Sequence, residues 1–152
     1  MYYQVADPSR AMFLGGFTAT NAGEIATGKL VVSDTSNALT LAGSGSKPDG
    51  IAFTNRVLVP NALRTTLYAD AAESVTLVNG ANVLVWCDSE FFYGGTLPAV
   101  NDTIYSAASG KMATSGSVKL GKCIKTGDYR TPPNSSSNIV CLELGLGGLE
   151  TV

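Results

Sequence analysis

The chain has 152 residues, 45% of them hydrophobic and 14% charged, with a net charge of −2 and no histidine. That length and apolar content exclude a disordered chain and allow one domain with its own core, without disulfides or metal. The slightly acidic balance gives no general nucleic-acid signal. The charge lies well below the roughly 25% of ordinary domains, so partners are expected to cover much of the surface.

Residues 1–22 open the chain without the basic-then-apolar pattern of a secretory signal. No apolar run reaches membrane-spanning length, so no membrane is expected as a partner. Met1 to Gly16 lacks strand alternation and contains Asp7-Pro8, and is expected as an extended N-terminal arm. Its Tyr2, Tyr3, Met12, Phe13 and Leu14 are candidate contact residues, because exposed apolar groups need a partner surface.

Residues 23–145 read as a single β-domain: short Val, Ile, Leu and Thr runs recur between Gly, Asn, Asp and Ser. A hairpin unit over residues 28–54 opens it. Leu30-Val-Val-Ser is a strand, Asp34-Thr-Ser-Asn a turn with Asn37 at a left-handed position, and Gly50-Ile-Ala-Phe-Thr a following strand. Gly43-Ser-Gly-Ser-Lys-Pro faintly resembles a phosphate loop, but the G-x-x-x-x-G-K-[ST] spacing is missing, so it reads as a turn. The best helix candidates, Asn61-Ala-Leu-Arg and Ala69-Asp-Ala-Ala-Glu-Ser, lack amphipathic spacing.

Val75 to Cys87 is the richest β segment. Asn79-Gly80 is the strongest two-residue hairpin signal, predicting Val78 opposite Ala81 and Val75 opposite Leu84. Val78, Ala81, Val83, Val85 and Cys87 then share one face, and Val75, Leu77, Leu84 and Trp86 the other. Both faces are largely apolar, so both should be covered. Asp88 and Glu90 follow; a glycosidase carboxylate pair is one reading of them, a strand end the plainer one. Phe91-Phe92-Tyr93 is either a contact patch or the rim of the core.

Residues 101–126 repeat the first unit. Thr103-Ile-Tyr-Ser lies on Leu30-Val-Val-Ser, Gly110 on Asn37, and Gly121 on Gly50 as the head of a strand. Ala107-Ala-Ser-Gly is the turn, and Lys111-Met-Ala-Thr the hairpin partner. Two copies are too few for a solenoid and fit pseudo-symmetry within one barrel or sandwich. Lys111, Lys119, Lys122, Lys125 and Arg130 hold half of the 10 basic residues, and strand alternation puts Lys119 and Lys125 on one face. A solvated face is the default for them; contact with an acidic protein surface is the sharper reading. Tyr129 is the one aromatic interleaved there, which leaves nucleic acid disfavoured. Thr131-Pro-Pro-Asn-Ser-Ser-Ser is a loop. Asn138-Ile-Val-Cys-Leu-Glu-Leu is the last strand, with Val140, Leu142 and Leu144 facing the core. Residues 146–152 are expected as a flexible tail.

Cys87, Cys123 and Cys141 are an odd number, widely spaced, without C-x-x-C. They read as small buried hydrophobes rather than as disulfides or zinc ligands. The lack of histidine removes the commonest general base and the usual hydrolase triads. No catalytic, cofactor or metal residue is assigned, and the chain is expected not to be an enzyme.

The second unit resembles the signature of the small capsid cement, or head-decoration, proteins of tailed bacteriophages. That signature runs Gly-Asp-x-Val-Tyr-x(4)-Gly-x-x-Thr and then Val-x-x-Gly-x-Ala. Here it stands as Asn101-Asp-Thr-Ile-Tyr, Gly110-Lys-Met-Ala-Thr and Val118-Lys-Leu-Gly-Lys-Cys. Gly28-Lys-Leu-Val through Pro48-Asp-Gly-Ile-Ala resembles the family's earlier segment, and Ile139-Val-Cys-Leu-Glu-Leu its final strand. Asn101 replaces the usual Gly, the arm is longer, and the segment from Arg56 to Gly95 does not align. The resemblance implies a small β-barrel or tulip-like sandwich. It also implies a homotrimer on the outer surface of a virion, assembled in the host cytoplasm, that bridges major capsid protein subunits. A β-rich tail or connector protein and a surface glycan-binding module are the alternatives. The expected contact residues are Tyr2, Tyr3, Met12, Phe13, Leu14, Phe91, Phe92, Tyr93, Lys119 and Lys125.

Overall fold

The computed structural model describes residues 3–54, 68–127 and 138–146, which are mainly β-strand. The strands are β1 (Tyr3–Val5), β2 (Met12–Ala19), β3 (Leu30–Ser33), β4 (Ala38–Leu41) and β5 (Gly50–Thr54). They continue with β6 (Ser74–Cys87), β7 (Thr103–Ser106), β8 (Met112–Ala113), β9 (Lys119–Gly127) and β10 (Ile139–Leu146). The hydrogen-bonded order is β2-β4-β3-β5-β6-β10-β9-β7-β8, and β2 pairs with β6 as well. That last pairing closes β2, β4, β3, β5 and β6 into a five-stranded barrel. The protein is an all-β small barrel extended by a second sheet.

Alternation along the barrel strands sends side chains to two sides. Ile25, Val31, Leu39, Ala52, Val75 and Leu77 form one buried cluster. On the opposite side of the same strands, Leu30, Ile51 and Val78 join a larger core with Val83, Val85, Ile104, Leu142 and Leu144 from the second sheet. The barrel wall is therefore apolar on both sides at β6, as its sequence demands.

The predicted Asn79-Gly80 hairpin is absent. β6 runs as one 14-residue strand through both residues. Its first half pairs with β2 and β5, and its second half with β1 and β10. Val78 does not oppose Ala81; it pairs with Ile51 and Phe13. Gly80 takes φ +147°, and a Cβ there would lie 3.0 Å from the Arg10 carbonyl oxygen. The dipeptide supplies a bend where a strand passes from one sheet to the next, as corners in β architectures require. Ala81 is exposed as a result, while Val83, Val85 and Cys87 are buried.

The two hairpin units have matching registers. In the first, β3 pairs with β4 and places Val31 opposite Gly50 of β5. In the second, β7 pairs with β8 and places Ile104 opposite Gly121 of β9. Asn37 and Gly110 hold equivalent left-handed turn positions, at φ 62° and 69°. The Asp34 carboxylate organises the first turn by accepting the Ser36 and Ala38 amides at 2.7 and 3.0 Å. Each unit then adds one more antiparallel strand, β6 to β5 and β10 to β9. The order β4-β3-β5-β6-β10-β9-β7-β8 thus reads the same way from both ends in repeat units. Gly50 heads β5 as expected, whereas β9 begins two residues before Gly121, and both glycines lie against backbone. A Cβ on Gly50 would sit 2.6 Å from the Val78 carbonyl oxygen, and one on Gly121 would overlap that of Glu143.

The segment expected as an arm is extended, but it does not stand away from the body. β1 and β2 lie in succession along β6, and β2 also runs parallel to β4 at Thr18 and Ala19. The pairing is non-local, so the local sequence carried no sign of it. Leu146, expected in the tail, is buried as the last residue of β10. Tyr2, the 61–64 helix candidate, Tyr129, Arg130, the 131–137 loop and residues 147–152 lie outside the described residues. Ala69 to Glu73 carries a turn at residues 71–72 leading into β6, which begins at Ser74, with Ala72 at φ 64°.

Candidate interaction surface

The predicted contact residues separate into three places. Met12, Phe13 and Leu14 are 43%, 45% and 37% exposed on β2. This stretch pairs with β6 on one side; among the described residues no strand pairs with its other side. A bulge at Gly15-Gly16 breaks the register before Phe17 re-enters the ladder. Phe13 leans toward Phe53, with ring centroids 6.4 Å apart. Tyr3 lies far from this segment, opposite Cys87 at the other end of β6, whereas Met12 pairs with Asn79.

The aromatic triplet is divided. Phe91 and Phe92 are core residues, 5% and 1% exposed, and Tyr93 is 63% exposed. The cause is local. Asp88 caps a short 3-10 turn by accepting the Glu90 amide at 3.0 Å. That turn rolls Phe91 inward, and the Tyr93 amide then bonds to the Met112 carbonyl at 2.8 Å. Phe91 and Phe92 are thereby withdrawn from any surface contact. Asp88 is a capping residue, and Glu90 lines a small pocket at the seam between barrel and second sheet, with Thr27, Lys29, Tyr68 and Lys111.

Within that pocket, burial and the neighbouring Lys111 ammonium lower the Lys29 pKa, against a smaller opposing pull from Glu90. In this setting the folded state binds the Lys29 proton less tightly than the unfolded chain does. Stability from this group therefore rises with pH toward the ordinary lysine pKa of about 10.4. Lys29→Met is expected to raise the urea midpoint more at pH 7 than at pH 10. Equal shifts at the two pH values would show that the charge carries no penalty.

The lysines lie on β9, and here alternation fails usefully. β9 carries two bulges. Against β7 the register passes from Ile104↔Gly121 to Tyr105↔Lys119, leaving Leu120 as an extra residue. Against β10 it passes from Leu142↔Cys123 to Cys141↔Lys125, leaving Ile124 extra. Strict alternation would put Lys122 on the opposite side from Lys119 and Lys125. The bulges change the spacing from two to three, so all three lysines are exposed while Leu120 and Cys123 are buried. The Cys123 thiol spans the second bulge and donates to the Lys125 carbonyl at 3.7 Å.

Register places the neighbours of this lysine row. Trp86, Cys141 and Lys125 form one cross-strand line, and Leu84, Glu143, Lys122 and Thr103 the next. Lys119 pairs with Tyr105. The Trp86 indole reaches over β10, where a Cβ on Gly127 would lie 3.2 Å from it. Arg10 and Glu143 make an ion pair at 3.3 Å. A shallow polar groove of about 330 Å³ opens beside Lys119 and Lys122, lined also by Asn82, Asn101 and Thr103.

All three cysteines are free and buried. Burial, with the Asp88 carboxylate second, pushes the Cys87 thiol well up, away from the reactive thiolate. Among the described residues no group of three or more His, Cys, Asp or Glu side chains could hold a metal ion. Among the described residues no helix is long and apolar enough to cross a membrane.

These features define a β-barrel whose distinctive chemistry lies on open strand faces. No protein-family model matches the chain, and no curated protein matches it.

Proposed function

We propose that this chain is a structural virion protein that decorates a phage capsid and stabilises it by bridging major capsid protein subunits on the outer shell. The observation that carries the reading is the β2 stretch Met12-Phe13-Leu14. It is apolar, exposed, and paired on one side only among the described residues. A bare apolar strand edge is an aggregation hazard in a free monomer and an asset in an assembly. The low charge supports the same reading, since buried contacts between subunits are depleted in charge. So does the order of the two hairpin units, on which the resemblance to cement proteins rests. Many modest contacts repeated by symmetry would then add up to shell stability. The protein acts as a homotrimer and performs no catalysis.

The test is co-expression with the major head protein of the same genome, followed by sedimentation of the shells. Co-sedimentation at a fixed, saturating ratio is expected. Shells that pellet clean would overturn the reading and leave a tail or connector role, or glycan binding, to be tried next.

A further inference from the structure

We infer that the outward face of β9 docks a carboxylate-rich surface of a partner protein, with Lys119, Lys122 and Lys125 as its cationic row. The inference goes beyond the decoration reading, since it requires an acidic protein partner and no shell. Three observations converge on this face.

The first is the pair of bulges. Each leaves an extra residue in β9 and forfeits regular ladder pairing. Bulges re-aim side chains, and here the outcome is one row of lysines where alternation would have split them. The second is the state of the ammonium groups. Among the described residues none of the three has a hydrogen-bond or ion-pair partner. The third is the groove beside Lys119 and Lys122. Its lining places neutral Asn82, Asn101 and Thr103 beside the two cations, together with Glu143, whose carboxylate Arg10 already pairs, so the lysines remain to meet a visiting carboxylate.

Two further features select a protein over a nucleic acid. Glu143 stands in the row opposite Lys122 and is held there by Arg10. A uniformly charged phosphate backbone would run over that carboxylate, whereas a protein surface can place a donor against it. The Trp86 indole lies against the Gly127 backbone, so that side of the ring is closed to base stacking. Exposed Ile124, the extra residue of the second bulge, adds an apolar contact beside Lys125.

Trp86 is the single tryptophan and shares a cross-strand line with Lys125, so its fluorescence reports on this face. The full chain would be titrated with a short peptide alternating Glu with Ser, whose hydroxyls can donate to Glu143, and, separately, with an oligodeoxythymidylate of equal charge. A saturable emission change is expected, with the peptide binding more tightly than the oligonucleotide. The triple variant Lys119→Gln, Lys122→Gln, Lys125→Gln should weaken peptide binding about tenfold, the sum of three modest exposed charge pairs. Lys111→Gln, which removes an equal type of charge at the seam pocket, should leave it unchanged. The three substituted side chains are exposed, so the variant keeps its fold; its urea midpoint checks this. No saturable response, an unaltered response in the triple variant, or tighter binding of the oligonucleotide would each overturn the proposal. Because no shell is used, the outcome is independent of the sedimentation experiment.

Discussion

Gly121→Ala is expected to destabilise the protein by about 3 kcal/mol or more, the upper end of overpacking costs. The added methyl would overlap the Glu143 carbonyl oxygen on β10, with the Glu143 carbonyl carbon and Leu144 Cα also within about 3 Å. These atoms belong to a paired strand and cannot rotate aside as a side chain would. Relief requires β9 to move off β10, which would break the ladder from Gly121 to Cys123. Against a typical total stability of about 5–15 kcal/mol, such a loss is large. Gly45→Ala is the control, since a Cβ there meets nothing within 4 Å. Urea denaturation of both variants decides the matter. A Gly121→Ala midpoint equal to that of Gly45→Ala would show that β9 and β10 do not approach as described.

Phe92→Ala should cost about 3–5 kcal/mol, the usual range for deleting a buried aromatic ring. Phe92 is 1% exposed, and its backbone also bridges to Met112 of β8. The lost ring would leave a cavity in the larger core, of which Phe92 is a member. Tyr93→Ala, at the exposed neighbouring position, should change stability by no more than about 0.5 kcal/mol. This pair of variants separates a core role from a contact role. Equal, small losses in both would return Phe92 to the surface.

Local turn chemistry was legible in the sequence. Thr103 to Ser106 is a strand, and Gly110 takes the left-handed position, because the tight turn needs that conformation whatever surrounds it. The core face of β10 was equally readable, since Val140, Leu142 and Leu144 alternate in an apolar run. Asn79-Gly80 misled for a physical reason. The dipeptide signals tolerance of positive φ, and both a hairpin and a strand bend use that tolerance. Only the partners of β6, which are distant in sequence, choose between them. Strand pairing of residues 3–19 was hidden for the same reason. Lys122 was missed as a member of the lysine row, because a bulge is a register event between two strands and one sequence read alone has no register. The split of Phe91-Phe92-Tyr93 had one local sign, the Asp88 cap three residues before Phe91.

The continuity of β6 has a consequence for how the molecule comes apart. The same strand supplies Val75 and Leu77 to one buried cluster and Val83, Val85 and Cys87 to the other. Neither sheet can let go of it without exposing apolar surface belonging to both. Sub-global opening of one half, the usual source of separately melting units, is therefore penalised. Heat and denaturant should meet a single cooperative transition, with amides along β6 among the slowest to exchange their hydrogens.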